Sequence, residues 1–131
     1  MKKLLLTLML AVVSSSAMAK WVEVDTSRRV GLTTYADPAT ILKSGNKVEM
    51  WVLYDYKTAR TNARKPYMSI KGQWGYDCKE EQQQPIYAIL LSKNMGKGEV
   101  IRMFFYKDSV KWLPVPPESI SMVYWKLACG K

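Results

Sequence analysis

The chain has 131 residues with a formal net charge of +9, two cysteines and no histidine. This length predicts one domain, and a hydrophobic fraction of 48% is enough for a buried core. The lack of histidine excludes Ser-His-Asp and Cys-His catalysis and any histidine metal ligand. Two cysteines do not supply the four ligands of a structural zinc site. We therefore expect a small basic protein that is not an enzyme, with no catalytic residue, no metal site and no cofactor.

The first nineteen residues have the pattern of a secretory signal peptide. Two lysines open it, residues 4–13 are apolar apart from one threonine, and an alanine-methionine-alanine tripeptide ends at Ala19. The apolar run is about half the length that a membrane-spanning helix needs, so no transmembrane segment is predicted. We expect cleavage after Ala19 and a mature domain at residues 20–131. No cysteine lies near the cleavage site, which predicts a periplasmic or secreted protein that is not a lipoprotein.

Export to an oxidising compartment predicts that two thiols in one small domain pair with each other. Cys78 and Cys129 are the only candidates. Their spacing is unlike the Cys-x-x-Cys of redox proteins, so we predict a structural disulfide.

Apolar residues alternate with polar ones along most of the mature chain, which predicts an antiparallel sheet. The longest candidate strand is residues 47–57, with Val48, Met50 and Val52 on one face. Residues 58–65 are polar and are predicted to form a loop. Further strands are predicted at residues 21–24, 32–35, 67–78, 86–91 and 99–106, with a stub at 111–113.

The end of the chain has a helical pattern. Ser119 is typical of an N-cap. The apolar residues that follow recur at helical spacing: Ile120, Val123, Tyr124 and Leu127. Cys129 comes after this stripe, so the predicted disulfide would fasten a C-terminal helix to a strand.

Two tryptophans, Trp51 and Trp125, fall outside the apolar stripes of their segments. This position predicts exposure to solvent or contact with a second subunit. A homodimer is therefore one alternative that the sequence leaves open.

Several motifs occur in a characteristic order along the mature chain. They are Trp21, Tyr35-Ala36-Asp37-Pro38 with Ile41, the strand at 48–56 around Trp51, Ser69 before Tyr76-Asp77-Cys78, Gly96 and Gly98, the segment 112–119, and Cys129. In this order the chain resembles the surface-adhesin E family of bacterial exported proteins. The family pattern near the end is usually Trp-x-x-x-x-Pro-Gly-Ser, and here Glu118 stands in the place of glycine.

The resemblance implies an α+β, mainly β fold. The expected architecture is an antiparallel sheet of about six strands with a C-terminal helix tied to it by the two cysteines. It also implies attachment to host extracellular-matrix proteins, as in the member that names the family. The missing lipoprotein cysteine motivates an alternative, a periplasmic structural or envelope-stress accessory protein of unknown ligand.

The segment 57–65 carries four positive charges and no negative one, at Lys57, Arg60, Arg64 and Lys65. On a hairpin tip these residues would attract an acidic glycan or an acidic protein segment. The alternative is a solubilising loop whose charges bind nothing specific.

The segment 99–106 places Arg102 among aromatic residues. Such interleaving is typical of single-stranded nucleic-acid binding or of an edge strand protected by its charges. Because an exported domain rarely meets nucleic acid, we predict no nucleic-acid partner.

Overall fold

A computed structural model describes residues 20–106 and 109–131. The predicted signal peptide lies outside the described residues. The described ranges form one antiparallel sheet and one α-helix, with a short 3₁₀ turn at Asn94–Gly96. The elements are β1 Val22–Ser27, β2 Leu32–Ser44, β3 Lys47–Asn62, β4 Lys65–Asp77, β5 Gln82–Leu91, β6 Val100–Phe105, β7 Leu113–Pro114 and α1 Ile120–Cys129.

The sheet follows the chain, because each strand from β1 to β6 pairs with the next one. The two-residue β7 pairs with β5 at Gln82 and Gln83, beyond the part of β5 that pairs with β6. The predicted fold class, an antiparallel sheet of six main strands with a C-terminal helix, is confirmed.

The predicted loop at 58–65 is wrong, because this segment is the end of a long hairpin. β3 runs on to Asn62, which pairs with Lys65 of β4. The turn uses Ala63 and Arg64, whose φ angles of 47° and 67° lie in the left-handed region. A two-stranded ribbon in solvent needs no buried face, so its polar composition resembles that of a loop.

The strand predicted at residues 32–35 is longer in the structure, because β2 continues through a bulge that contains Asp37 and Pro38. The register with β3 shifts between Asp37 and Leu42. At this bulge the Thr40 hydroxyl donates to the Asp37 carbonyl oxygen at 2.6 Å and accepts from the Trp51 amide at 3.0 Å. The side chain thus replaces a missing ladder bond, and the strand continues past the turn residues.

One face of the sheet, here called the helix side, carries the core. The predicted inward face of β3 is confirmed, because Val48, Met50 and Val52 are buried there. They pack with Tyr76 of β4 beneath the helix. The buried residues of α1 are Tyr124, Trp125 and Ala128.

The helix begins as predicted, since the Ser119 hydroxyl accepts a hydrogen bond from a first-turn amide at 3.1 Å. The predicted apolar stripe is wrong in part, because Ile120 and Val123 are 38% and 50% exposed. Trp125, predicted to be exposed or at an interface, is 3% exposed. Its indole N–H donates to the Asp77 carbonyl oxygen at 2.8 Å, which turns the tryptophan side of the helix towards the sheet.

The disulfide between Cys78 and Cys129 is confirmed, with sulfurs 2.04 Å and Cα atoms 5.6 Å apart. Cys78 directly follows β4 and Cys129 is the last residue of α1. The bond therefore fastens the end of the helix to the edge of the core.

Glu118 precedes the helix cap with φ at 57°, in the left-handed region. An L-residue is strained there, and glycine is not. This backbone angle gives a physical reason for the glycine that the family pattern has at this position.

Candidate functional site

The β3–β4 hairpin ends in residues 60–65, here called the basic tip. The pairing of β4 with β5 begins only at Ser69, so the strands of the tip pair only with each other. Arg60, Arg64 and Lys65 are all exposed in it. The structure thus brings together three of the four predicted contact residues.

Lys57, the fourth predicted contact residue, lies elsewhere. Its amide donates to the Gly31 carbonyl oxygen at 2.8 Å, beside the β1–β2 turn. Its side chain is exposed and lines a surface pocket together with Arg28 and Asp55. Lys57 therefore belongs to the base of the hairpin and not to its tip.

The basic tip bends back over the sheet. Asn62 pairs with Lys65, five residues before Ile70, and Ile70 shares a cross-strand row with Arg102 of β6. In a flat sheet the backbones of Asn62 and Arg102 would be about 22 Å apart, from about 3.3 Å per residue and about 4.8 Å per strand. Arg102 Nη1 nevertheless donates a hydrogen bond to Asn62 Oδ1 at 3.2 Å.

A wide bulge in β3 permits this bend. Asp55 pairs with Ser69 and Arg60 pairs with Tyr67, so residues 56–59 of β3 stand opposite a single residue of β4. Extra residues on one strand of a pair bend that strand and increase its twist. The bend is towards the helix side, because Arg102 lies in the row of Tyr54, which continues the inward face of β3.

Two arginines of this region lie on aromatic rings. The Arg60 guanidinium carbon is 4.8 Å from the ring centre of Tyr56, and that of Arg102 is 4.7 Å from the ring centre of Phe104. Phe104 in turn stacks on Tyr106 at 6.2 Å. Stacking on a ring holds each guanidinium in place while its N–H groups stay available to an anion.

A pocket of about 290 Å³ lies on the helix side, over β4 and β5. Four aromatic residues line it, and three of them, Tyr54, Trp74 and Tyr106, are here called the floor; the fourth is Tyr87. Gly72 contributes to the space, because a Cβ atom there would lie 3.3 Å from Trp74 Nε1. Burial raises the pKa of Tyr54 to about 12, and the hydrogen bond with Trp74 opposes this shift. The hydroxyl of Tyr54 is therefore protonated at neutral pH.

The face away from the helix, here called the open side, has its own aromatic row. Trp51 stacks on Tyr87 with ring centres 6.4 Å apart, and Tyr87 contacts Phe105 at 4.7 Å. Trp51 is half-buried, whereas Phe105 is 57% exposed.

Ser69 and Asp55 on the open side have a structural role. The Ser69 hydroxyl donates to the Lys93 carbonyl oxygen at 2.6 Å and accepts from the Gly96 amide at 2.9 Å. Asp55 Oδ1 accepts from the side-chain amide of Asn94 and from the Met95 amide, both at 2.9 Å. These bonds hold the 3₁₀ turn against the sheet.

The sequence analysis missed the contact between Asn62 and Arg102, which are 40 residues apart. The floor was not predicted either, because Tyr54 and Trp74 also pack against the core and alternation does not distinguish a pocket from a core. One available signal was the run of Arg102, Phe104 and Tyr106 on one face of the last long strand.

Three further observations concern metals, membranes and curated relatives. Within the described ranges, acidic and cysteine side chains nowhere form a group of three that could hold a metal ion. None of the helices in those same residues has the length and apolarity needed to cross a bilayer. No curated protein matches the chain significantly.

Solved structures share the fold. Protein E of Haemophilus influenzae superimposes with a TM-score of 0.60 at 10% identity, covering 82% of this chain and 83% of that one. Its second crystal form gives 0.59 at 12% identity over 86% and 97% of the two chains. Its selenomethionine form gives 0.58 at 11% identity over 81% and 91%. The family model described as surface-adhesin protein E matches residues 21–130, and the chain therefore belongs to the surface-adhesin protein E family.

Proposed function

We propose that this protein is an exported adhesin that acts by binding and not by catalysis. Its partner is a host matrix protein or an acidic glycan, and the contact residues are Arg60, Arg64 and Lys65 with Lys57 at the base of the hairpin. The observation that carries the proposal is the basic tip, where three exposed cations lie on a ribbon that no third strand extends. Membership of a family of surface adhesins supports it.

The test compares two triple variants of the mature protein, residues 20–131. The first is Arg60→Gln, Arg64→Gln and Lys65→Gln. The matched control removes three exposed charges elsewhere: Lys43→Gln, Lys79→Gln and Lys126→Gln. Both variants lose the same net charge, so any difference between them belongs to the tip.

The probe is matrix laid down by cultured epithelial cells, before and after enzymatic removal of its anionic glycans. We expect the tip variant to lose at least 10-fold in apparent affinity and to show a weaker dependence on salt. Equal binding by both variants would remove the tip from the function. Failure of the wild type to bind either surface would overturn the adhesive role itself.

We further propose that the signal peptide is cleaved after Ala19 and that the mature chain is not a lipoprotein. Cell fractionation tests both this and the alternative role. Recovery at the cell surface or in the culture fluid agrees with an adhesin. Recovery confined to the periplasm would favour the envelope accessory protein instead.

A homodimer remains a proposal, and the edge strand β6 supports it. Val100, Met103 and Phe105 of this strand are 56–57% exposed, which is unusual for apolar residues of an edge. Sedimentation of the wild type and of Met103→Lys tests it. A monomer at every concentration of the wild type would refute the dimer.

A further inference from the structure

Two aromatic paths lead from the pocket on the helix side towards the basic tip. On β3, Tyr54 of the floor is followed on the same face by Tyr56, which carries Arg60. On β6, Tyr106 of the floor stacks on Phe104, which carries Arg102. Each path ends in a guanidinium held on a ring, so each leads from the aromatic floor of the pocket to a positive charge outside it.

The bent tip brings β3 into contact with β6. Arg60 and Asn62 are two residues apart on β3, and Asn62 accepts the hydrogen bond from Arg102. This hydrogen bond holds Arg102 against the strand that carries Arg60, although β4 and β5 separate the two strands. The surface that runs from the floor along Phe104 to Arg102 and the basic tip is here called the tip cleft.

The chemistry of the tip cleft selects among acidic ligands. A guanidinium fork binds sulfate, phosphate and carboxylate groups through paired hydrogen bonds. Aromatic side chains bind flat, weakly polar surfaces of a ligand. The tyrosine O–H and tryptophan N–H groups form hydrogen bonds with hydroxyl groups at the edge of such a ligand. A sugar ring has such a face together with such hydroxyls. An acidic peptide would use the arginines and leave the floor empty.

We propose that the tip cleft binds a sulfated oligosaccharide, with a sugar ring on the floor and a sulfate group on the Arg102 guanidinium. This inference rests on the proposed adhesive function and names its ligand class. A pocket of about 290 Å³ is at the lower end of the range for small ligands, which suits one or two sugar units of a longer chain. The rest of the chain then extends along the basic tip.

The experiment measures calorimetric affinity for four probes: a heparin octasaccharide, an unsulfated heparosan octasaccharide, a poly-glutamate peptide, and vesicles containing anionic phospholipid. The variants are Arg102→Gln and Tyr106→Ala. The matched control is Arg29→Gln, which removes an exposed arginine from the β1–β2 turn.

We expect the wild type to bind the heparin fragment at least 10-fold more tightly than the other three probes. Arg102→Gln and Tyr106→Ala should each weaken that binding at least 5-fold, and Arg29→Gln by less than 2-fold. Saturation-transfer NMR on the wild type gives a second measurement that needs no variant. Irradiation of the aromatic protons should transfer saturation to the ring protons of the sugar.

The outcomes separate this inference from the proposed function. If only the triple variant of the tip loses binding, while Arg102→Gln and Tyr106→Ala bind normally, ligand binding in the tip cleft is refuted and adhesion through the basic tip is supported. If poly-glutamate or the vesicles bind as tightly as the heparin fragment, the proposal that the ligand is a sulfated oligosaccharide is also refuted. No binding of any probe, together with no binding to epithelial matrix, would overturn both.

Discussion

Removing the disulfide tests how the helix is fastened to the sheet. Cys78 and Cys129 close a loop of 51 residues. The chain-entropy relation for that length gives about 14 cal/mol/K, or about 4 kcal/mol at 25 °C, through restriction of the unfolded chain. A domain of this size has a free energy of unfolding of about 5–15 kcal/mol, so the loss is large and need not abolish folding.

The native contacts of the helix do not depend on the sulfurs alone. Trp125 and Tyr124 are each 3% exposed, and the indole keeps its hydrogen bond to Asp77. We therefore expect the sheet and the docked helix to persist in the variant Cys78→Ala with Cys129→Ala, in the absence of denaturant.

The assay is urea unfolding followed by tryptophan fluorescence, on the mature protein oxidised, reduced and doubly substituted. With a slope of about 2 kcal/mol/M, the unfolding midpoint should fall by about 2 M in both the reduced protein and the variant. Comparing these two separates loop closure from the packing of the sulfurs. A loss of less than 1 kcal/mol in both would refute the loop-closure account. Loss of the native tryptophan fluorescence without urea would refute the persistence of the sheet and the docked helix.

Three smaller predictions concern the backbone and titration. Glu118→Gly should raise the free energy of unfolding by about 0.5 kcal/mol, because relief of a left-handed L-residue (about 1 kcal/mol) exceeds the added chain entropy of glycine; destabilisation in urea would show that the glutamate side chain makes a needed contact. Gly98→Ala should lower the free energy of unfolding by about 2–3 kcal/mol, since φ is 87° and the added Cβ would lie 2.9 Å from Lys93 Cγ. The control Gly45→Ala, with φ of 62° and no atom within 4 Å of the added Cβ, should lower it by only about 1 kcal/mol. Equal losses in the two variants would contradict steric crowding at Gly98. Burial raises the pKa of Tyr54 to about 12 in the folded protein, so its protonated side chain contributes fully to the free energy of unfolding below pH 10 and less as the pH rises towards 12. At pH 11 the free energy of unfolding should be lower by about 1.4 kcal/mol from this residue, and the Tyr54→Phe variant should lack this part of the pH dependence.

Alternation predicted the sheet well where one face is buried. The inward set on β3 is visible in the sequence because Val48, Met50 and Val52 recur at every second position, and they are buried together. The disulfide was predictable for another reason, since a chain that is predicted to be exported and has two cysteines leaves one pairing. The sheet was predicted from neighbouring residues along one strand, and the disulfide from the fact that only one cysteine pair is possible.

The helix orientation was not predictable from its own residues. Ile120 and Trp125 are both apolar, and helical spacing alone does not choose between stripes that share Tyr124. The carbonyl of Asp77 makes the choice, because it offers the indole N–H an acceptor that no aliphatic residue can use. A hydrogen bond between residues 48 positions apart thus sets the rotation of the helix about its own axis.

The candidate site was found only in part for a similar reason. Charge density located Arg60, Arg64 and Lys65, but the polar hairpin that carries them has the composition of a loop. Its bend depends on a register shift that only the pairing of β3 with β4 reveals. The sequence placed Arg102 among aromatic residues, but its contact with Asn62 follows from that bend and is not visible in a pattern along the chain.

The disulfide and the proposed binding tip lie at opposite ends of the sheet. Cys78 and the indole contact lie at one end of β4, and the basic tip begins at Lys65, about 40 Å away along the strand at about 3.3 Å per residue. Residues of the tip pair only within the β3–β4 hairpin, so their substitution removes no contact from the core beneath the helix. The floor is the exception, because Trp74 also packs against the core, and a change there alters stability and the cleft together. Substitutions that change ligand preference without loss of stability are therefore expected in the tip and in β6, and substitutions of the floor are expected to lower stability.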